Sequence, residues 1–496
     1  GLRETGWRMV AWVVLGGLGL GQGVMESFDV GGIFSLYVAV FVIAAALNRE
    51  GVGKKEWPPA FAKGAGILVL VVLASAIMSW HTLHNLLRTE GGAAISNKVG
   101  TEEQVSQLEQ TVAQQLAEVQ AHPQFSPAQK LEISGRMLDE KNRLVEMIRN
   151  QPFDVATQWS VPPIESLRMV IPGLYGYRES PHGWMPHPVD GEQQYWGRVG
   201  QTPGFTRIQD EYPVFAEAMA HFQKTYGGGP MLRHASSGIY MGLMVLVVAL
   251  WGLLQACRGE AGAFDLYERR WIFFWALLAL MSLVLAWGHH APFYKFIYQL
   301  PFFNVIRNPI KFMHPCSMAM VILFTYGLQG MAREYLVERK RAKDALEQFK
   351  LWLGTLKGWD RKWAFGMLAM AVVGILGWLF YAALQSELRK VLISGAGFTV
   401  ETASALATGS LMSAGLSVMF LAATLFMLAI FMSGAIPKKQ SVVLWGLMGF
   451  LLCVDLGVGS LPHLVFYDWE RKYVSNDVID VLKKRPYEQR VHYSSS

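Results

Sequence analysis

The stretch Gly64-Ala-Gly-Ile-Leu-Val-Leu-Val-Val-Leu-Ala-Ser-Ala-Ile-Met-Ser-Trp80 carries no charged residue and ends on a tryptophan. An apolar run of this kind, close to the roughly 20 residues that cross about 30 Å of hydrocarbon, predicts a transmembrane helix. Further runs repeat it at Met9 to Met25, Gly31 to Leu47, Ile239 to Gln255, Trp271 to Trp287, Phe312 to Met331, Trp363 to Leu384, Ala403 to Met432 and Val442 to Val458. The chain therefore reads as an α-helical polytopic membrane protein of about nine spans. The first two runs, separated only by residues 26–30, predict a tight hairpin across the bilayer.

Basic residues in the connections orient these spans. Arg49, Lys54, Lys55 and Lys63 follow the second run, Arg258, Arg269 and Arg270 the fourth, a dense series from Arg333 to Lys362 the sixth, and Lys438 and Lys439 the eighth. All fall on one side, which the positive-inside rule makes cytoplasmic and which puts the N-terminus of this chain there too. The expected division is residues 1–80 with spans one to three, residues 81–238 as a large external region, residues 239–458 with spans four to nine, and residues 459–496 as the start of an external C-terminal region. The chain opens at Gly1 directly on a span, and further sequence is expected before it and after Ser496.

Hydrophobic residues make up 52% of the chain and charged residues 17%, with a net charge of +6. Attraction of the basic connections to anionic lipid headgroups accounts for that charge, and no nucleic-acid partner is called for. Cys257, Cys316 and Cys453 have neither a disulfide framework nor a metal spacing and read as buried thiols.

The external region divides by composition. In its first part Val105, Leu108, Val112 and Val119, then Leu131, Leu138, Val145 and Ile148 after a break at Pro123 and Ser126-Pro127, predict an antiparallel helical hairpin over residues 101–150, a surface for protein partners. The second part, residues 151–230, is rich in Pro, Gly, Trp and Tyr. It contains Trp159-Ser-Val-Pro-Pro-Ile-Glu-Ser-Leu167, Val170-Ile-Pro-Gly-Leu-Tyr-Gly176 and Tyr195-Trp-Gly197, and leads to Tyr240-Met-Gly242. Leu300-Pro-Phe-Phe-Asn-Val-Ile-Arg-Asn-Pro-Ile-Lys-Phe312 follows, then Asp455-Leu456, Val478-Ile-Asp-Val-Leu-Lys483 and Arg490-Val491. In this order the set resembles the YfhO-like bacterial polytopic membrane proteins, within the GT-C-type glycosyltransferases. Two departures stand out: Lys311 occupies a position where that family usually has Arg, and the acidic first external loop usual in GT-C enzymes is missing from this chain.

The resemblance implies a GT-C-like fold in the bacterial inner membrane and transfer of a sugar from a polyprenyl-phosphate donor to an acceptor on the external face; the lipid-linked sugar is the co-substrate so implied, and whether a divalent metal assists is left open. Such chemistry needs a carboxylate to take the acceptor proton and cations to hold the phosphate. Arg307 and Lys311, four residues apart, are the phosphate or lipid-binding candidates, or else anchors of a span end. Glu26 and Asp29 in the first external turn and Glu165 are the catalytic carboxylate candidates, with helix capping as the plainer role of Asp29 and Glu165. Asp455 is a further acid inside a span, functional or hydrogen-bonded to a neighbouring helix. Trp159, Tyr175, Tyr177, Tyr195 and Trp196 form either a platform for sugar or acceptor, or the core of a small external subdomain. His182, His187, His289 and His290 lack metal-site spacing, and no metal site is expected. The Gly227-Gly-Gly-Pro230 stretch, with no Lys-Ser/Thr after it, is no phosphate loop. The alternative to an enzyme is a non-catalytic accessory subunit of a larger membrane complex. With no inverted repeat and few charges inside spans, an ion-coupled transporter fits less well.

Overall fold

A computed structural model describes residues 6–48, 54–88, 98–177, 195–200, 239–299, 307–337, 344–395, 397–437 and 440–463, with isolated positions 474, 475, 480 and 483. The helices are α1 (Gly6–Glu26), α2 (Phe28–Leu47), α3 (Trp57–Arg88), α4 (Lys98–Ala121), α5 (Pro127–Thr157), α6 (Leu243–Cys257), α7 (Leu266–Ala286), α8 (Tyr294–Gln299), α9 (Met313–Tyr335), α10 (Ala345–Thr355), α11 (Gly358–Ala383), α12 (Gln385–Ser394), α13 (Val400–Ser433) and α14 (Ser441–Ser460). Among the described residues β structure is limited to one antiparallel bridge, Gly176 with Tyr195.

Eight helices are long and apolar enough to cross a membrane: α1, α2, α3, α7, α9, α11, α13 and α14. They make the chain an α-helical polytopic membrane protein. The span expected at Ile239 to Gln255 is different. Its helix, α6, has 15 residues and starts only at Leu243, because Gly242 sits at φ +84° and turns the chain out of helical geometry. At about 1.5 Å per residue it is about 22 Å long, short of the hydrocarbon thickness. Leu243, Met244, Val247, Val248, Trp251 and Ala256 are all buried, so α6 is wrapped by α7, α9, α13 and α14. By contrast α11 shows Leu368, Val373, Leu376 and Phe380 to the outside, as a lipid-facing helix should.

Lipid tails are as apolar as leucine, so these helices hold together by close fit and a few polar links rather than by escape from water. Where α6 crosses α9, Gly252 and Gly327 meet backbone to backbone. Helix α2 lies on α7 through a Tyr37 to Ser282 hydroxyl contact of 2.7 Å and through Phe41, 5.4 Å from the Trp271 ring. The ends of α6, α7, α9 and α11 that bear basic residues are cross-linked. Arg333 Nη1 donates to Glu268 Oε2 at 2.8 Å, the Tyr335 hydroxyl donates to Asp360 at 2.7 Å, and the Arg258 guanidinium lies 5.0 Å from the Trp359 ring.

Helices α4 and α5 form a hairpin. Its second helix opens on Pro127 after a capping box in which Ser126 Oγ accepts from the Gln129 amide and Gln129 Oε1 accepts from Ser126 N. Val105 and Val112 are buried in the seam. Leu131 and Leu138, expected there, point outward, 77% and 41% exposed. A strict seven-residue step drifts around a straight helix. The seam of α5 instead follows steps of three or four through Ser134, Met137, Lys141, Val145 and Ile148. The cysteine reading also needs correction: Cys316 is buried, whereas Cys257 and Cys453 are exposed on the bundle surface.

Candidate functional site

Two groups of polar side chains gather near the ends of the helices opposite the basic connections. The first is sealed. Residues 159–166 dock onto the end of α7: Val161 N donates to Ala286 O at 2.9 Å, and the Trp287 indole donates to Ser166 Oγ at 2.9 Å. A 3-10 turn, Pro163–Met169, then places Glu165 and Arg168 on one side, and both are about 1% exposed. Glu165 Oε2 accepts from the Tyr195 hydroxyl, Oε1 accepts from Arg198 N at 2.6 Å, and Arg168 Nη1 lies 3.6 Å from Oε2. The Arg168 guanidinium also stands 5.1 Å from the Tyr195 ring, and its Nε and Nη1 have no hydrogen-bond partner among the described residues. A side chain on Gly197 would run into both the Tyr195 hydroxyl and Glu165 Oε2, which explains a glycine after Tyr195-Trp196.

The aromatic residues belong to this sealed body. Tyr195 is fully buried, Tyr175 and Tyr177 nearly so, and the Tyr175 and Trp196 rings lie 4.4 Å apart. Burial pushes the Tyr175 and Tyr177 hydroxyls up to about 12 and the Tyr195 hydroxyl well above its ordinary value. Trp159 is partly buried, and its carbonyl accepts from Ile310 N at 3.0 Å. Tyr195 thus has no open ring face to offer a sugar. The cluster is built as a small core, clamped to α13 by Gly173 N donating to Ser413 Oγ at 2.9 Å and by Ser410 Oγ donating to Leu174 O at 2.5 Å.

Asp455 is placed by α14 beside the start of α6 and is buried. Its Oδ1 accepts from the Tyr240 hydroxyl and its Oδ2 from Leu243 N at 2.8 Å. The carboxylate thereby caps a helix from another helix, meeting an amide that an N-terminus leaves unpaired. Of its two sequence readings, the hydrogen bond to a neighbouring helix is the one seen.

The second group is open. Asp29, in the first turn of α2, and Lys311, in the 3-10 turn Pro309–Phe312 ahead of α9, form an ion pair with Lys311 Nζ 2.5 Å from Asp29 Oδ2. Their side chains remain 29% and 24% exposed. Asn308, at φ +64°, turns the chain so that Asn308 N donates to Ala156 O at 2.9 Å, fixing the approach to Lys311. Arg307 is exposed next to this turn. Glu26 is exposed at the end of α1 and accepts only from Gln22, at 2.8 Å, among the described contacts. The sequence candidates therefore pair as Asp29 with Lys311 and Glu165 with Tyr195. Glu26 joins neither.

Arg168 and Tyr240 were missed as polar partners. The three-residue spacing from Glu165 to Arg168 was the available signal for the first. No group of three or more His, Cys, Asp or Glu residues that could hold a metal ion occurs among the described residues. His182, His187, Gly227 to Gly229, Lys438, Lys439, most of the Leu300 to Phe312 element and most of the C-terminal matches lie outside the described residues.

His290 is pushed down to about 4, chiefly by burial and then by His289, whose ring is 3.9 Å away, and by Arg198. Since the folded value lies below the unfolded one, the unfolded chain binds the extra proton between about 6.5 and about 4. Stability from neutral His290 is therefore complete above that window and lost as pH falls through it. Selective labelling of histidine and titration by NMR should give a midpoint near 4 for His290. A midpoint at the ordinary value would contradict it.

Compared with models of protein families, with curated proteins and with solved structures, the chain matches none.

Proposed function

We propose that the chain is a GT-C-like membrane glycosyltransferase of the bacterial inner membrane, transferring a sugar from a polyprenyl-phosphate donor to an acceptor on the external face. The supporting observation is the open ion pair of Asp29 and Lys311, which sets a carboxylate and a cation in contact from positions far apart in sequence. In the proposed reaction the acceptor hydroxyl oxygen attacks the anomeric carbon while the bond from that carbon to phosphate breaks. Asp29 takes the hydroxyl proton, and Lys311 with Arg307 holds the charge left on the phosphate. Glu165 has no access to an acceptor, because both its oxygens are engaged inside a sealed core.

The test is transfer from a labelled polyprenyl-phosphate sugar in membranes bearing wild-type, Asp29→Asn or Lys311→Met protein. Loss of a general base is expected to lower the rate about 10²–10⁴-fold. Undiminished transfer by Asp29→Asn would remove the proposal. The accessory-subunit reading draws on the same pair, because mutual neutralisation also makes it a clamp between α2 and the turn ahead of α9. A charge swap, Asp29→Lys with Lys311→Asp, separates the two: a clamp would survive it, whereas a catalytic base would be lost.

A further inference from the structure

We infer that the cavity beside Asp455, between α13, α14 and the segment 172–177, is a binding site for one alkali cation. The cavity is narrow: its room for the centres of water-sized bodies is about 10 Å³, which admits a single water molecule or a single small ion. Its polar lining consists of Asp455, Tyr177, Tyr240, Ser413 and Ser417, all oxygen groups, set against Pro172, Leu416, Phe420 and Val458. Oxygen is the ligand that hard cations take.

Charge calls for a cation. Asp455 is 1% exposed, inside a helix that can cross a membrane. The Tyr240 hydroxyl and the Leu243 amide answer its oxygens, but neither carries a net charge. Among the described residues no Lys, Arg or His forms an ion pair with it. His463 packs edge-on against the Tyr177 ring, 5.3 Å between centroids, but does not line the cavity. A buried charge is ordinarily paired or bound to a metal ion, and more so at membrane depth.

The direction of the hydrogen bonds separates an ion from a water molecule. Tyr240 gives its proton to Asp455, and Ser417 Oγ gives its own to Ser413 O at 2.9 Å. Towards any further partner both hydroxyls, like the carboxylate, act only as acceptors, which is three acceptors for the two protons of a water molecule. A cation takes lone pairs from all three. Ser413 Oγ accepts from Gly173 N at 2.9 Å and keeps a second lone pair. The Tyr177 hydroxyl lies on the same side of Gly173 as Ser413 Oγ, is buried, and has no hydrogen-bond partner among the described residues, so its oxygen completes the set. A single positive charge balances the one carboxylate, whereas calcium sites gather six to eight oxygens. The bound ion would tie the sealed body, through Tyr177, to α13, α14 and the residues ahead of α6.

Unfolding of the full chain in phosphatidylcholine nanodiscs would be followed in sodium, potassium and choline chloride at one ionic strength, so that screening is equal. Sodium or potassium is expected to raise the unfolding midpoint by several degrees and saturably, as a ligand of the folded state does, and to slow amide exchange at residues 239–247. Ser417→Ala and Tyr177→Phe each remove one oxygen and leave Asp455 in place, and should shift the saturation curve to higher salt. Equal midpoints in the three salts would overturn the inference, leaving a water molecule or a proton with Asp455. An unchanged response in both variants would overturn it by placing the ion elsewhere. Should a variant fold poorly, the wild-type protein still decides: protection by sodium that leaves residues 239–247 unaffected would also overturn the inference.

Discussion

Replacing Glu165 by alanine is expected to unfold the body around Glu165 and Tyr195 at conditions where the wild-type protein stays intact. The change removes the acceptor of the Tyr195 hydroxyl and of Arg198 N, and takes away the negative charge 3.6 Å from Arg168 Nη1. Arg168 is buried and cannot reach water without breaking the packing around Tyr195. Breaking a buried pair from one side typically costs about 3–5 kcal/mol, since the remaining charge is left uncompensated. Two further variants sharpen the expectation. Glu165→Gln keeps the shape and part of the hydrogen bonding and should lose less. The double variant Glu165→Ala with Arg168→Met removes the stranded charge and should be more stable than Glu165→Ala alone, a coupling that a double-mutant cycle reads directly. Thermal unfolding in detergent, followed by proteolysis of residues near 160–200, is the measurement. A Glu165→Ala protein as resistant as wild type would mean that the network carries no stability.

Gly327→Leu should be at least as damaging, for a different reason. A side chain built on Gly327 overlaps the carbonyl oxygen of Val248, and one on Gly252 comes within 3.0 Å of the Gly327 Cα. The obstacles are backbone, so no rotamer change relieves them, and α6 and α9 must part. Overfilling a packed site ordinarily costs about 1–3 kcal/mol and occasionally more, and here the cost falls on a helix most of whose residues are buried. Gly446→Leu on α14 is the control, because nothing lies within 4 Å of a Cβ added there. The yield of monodisperse protein and its unfolding midpoint should fall for Gly327→Leu and hold for Gly446→Leu. Equal behaviour of the two would argue against the close crossing.

How far the sequence foretold this architecture depended on the range of the forces involved. Hydrophobicity over a span is a local property, and eight of the expected spans are helices that can cross a membrane. The break between α4 and α5 was equally local, since Ser126, Pro127 and Gln129 specify a helix start within a few residues. The seam of that hairpin was read wrongly at Leu131 and Leu138, because which stripe is buried depends on the partner helix. Pairings between distant positions were out of reach. Asp29 and Lys311 were both singled out, but nothing in either neighbourhood said that one would hold the other. Asp455 had two equal readings until the amide of Leu243 was seen beside it. The aromatic residues around Tyr195 were compatible with a platform or a core, and only their burial distinguishes these.

The short helix α6 also bears on how the chain is made. Its four preceding residues, Ile239 to Gly242, are not helical, and the amide of Leu243 at its start is answered by Asp455, 212 positions later. Backbone outside a helix is tolerated at membrane depth only where protein shields it. Asp455 is made long after α6, so the cap on the start of α6 is completed only once α14 has been made. A chain shortened before α14 would therefore lack the carboxylate that meets the Leu243 amide and the Tyr240 hydroxyl.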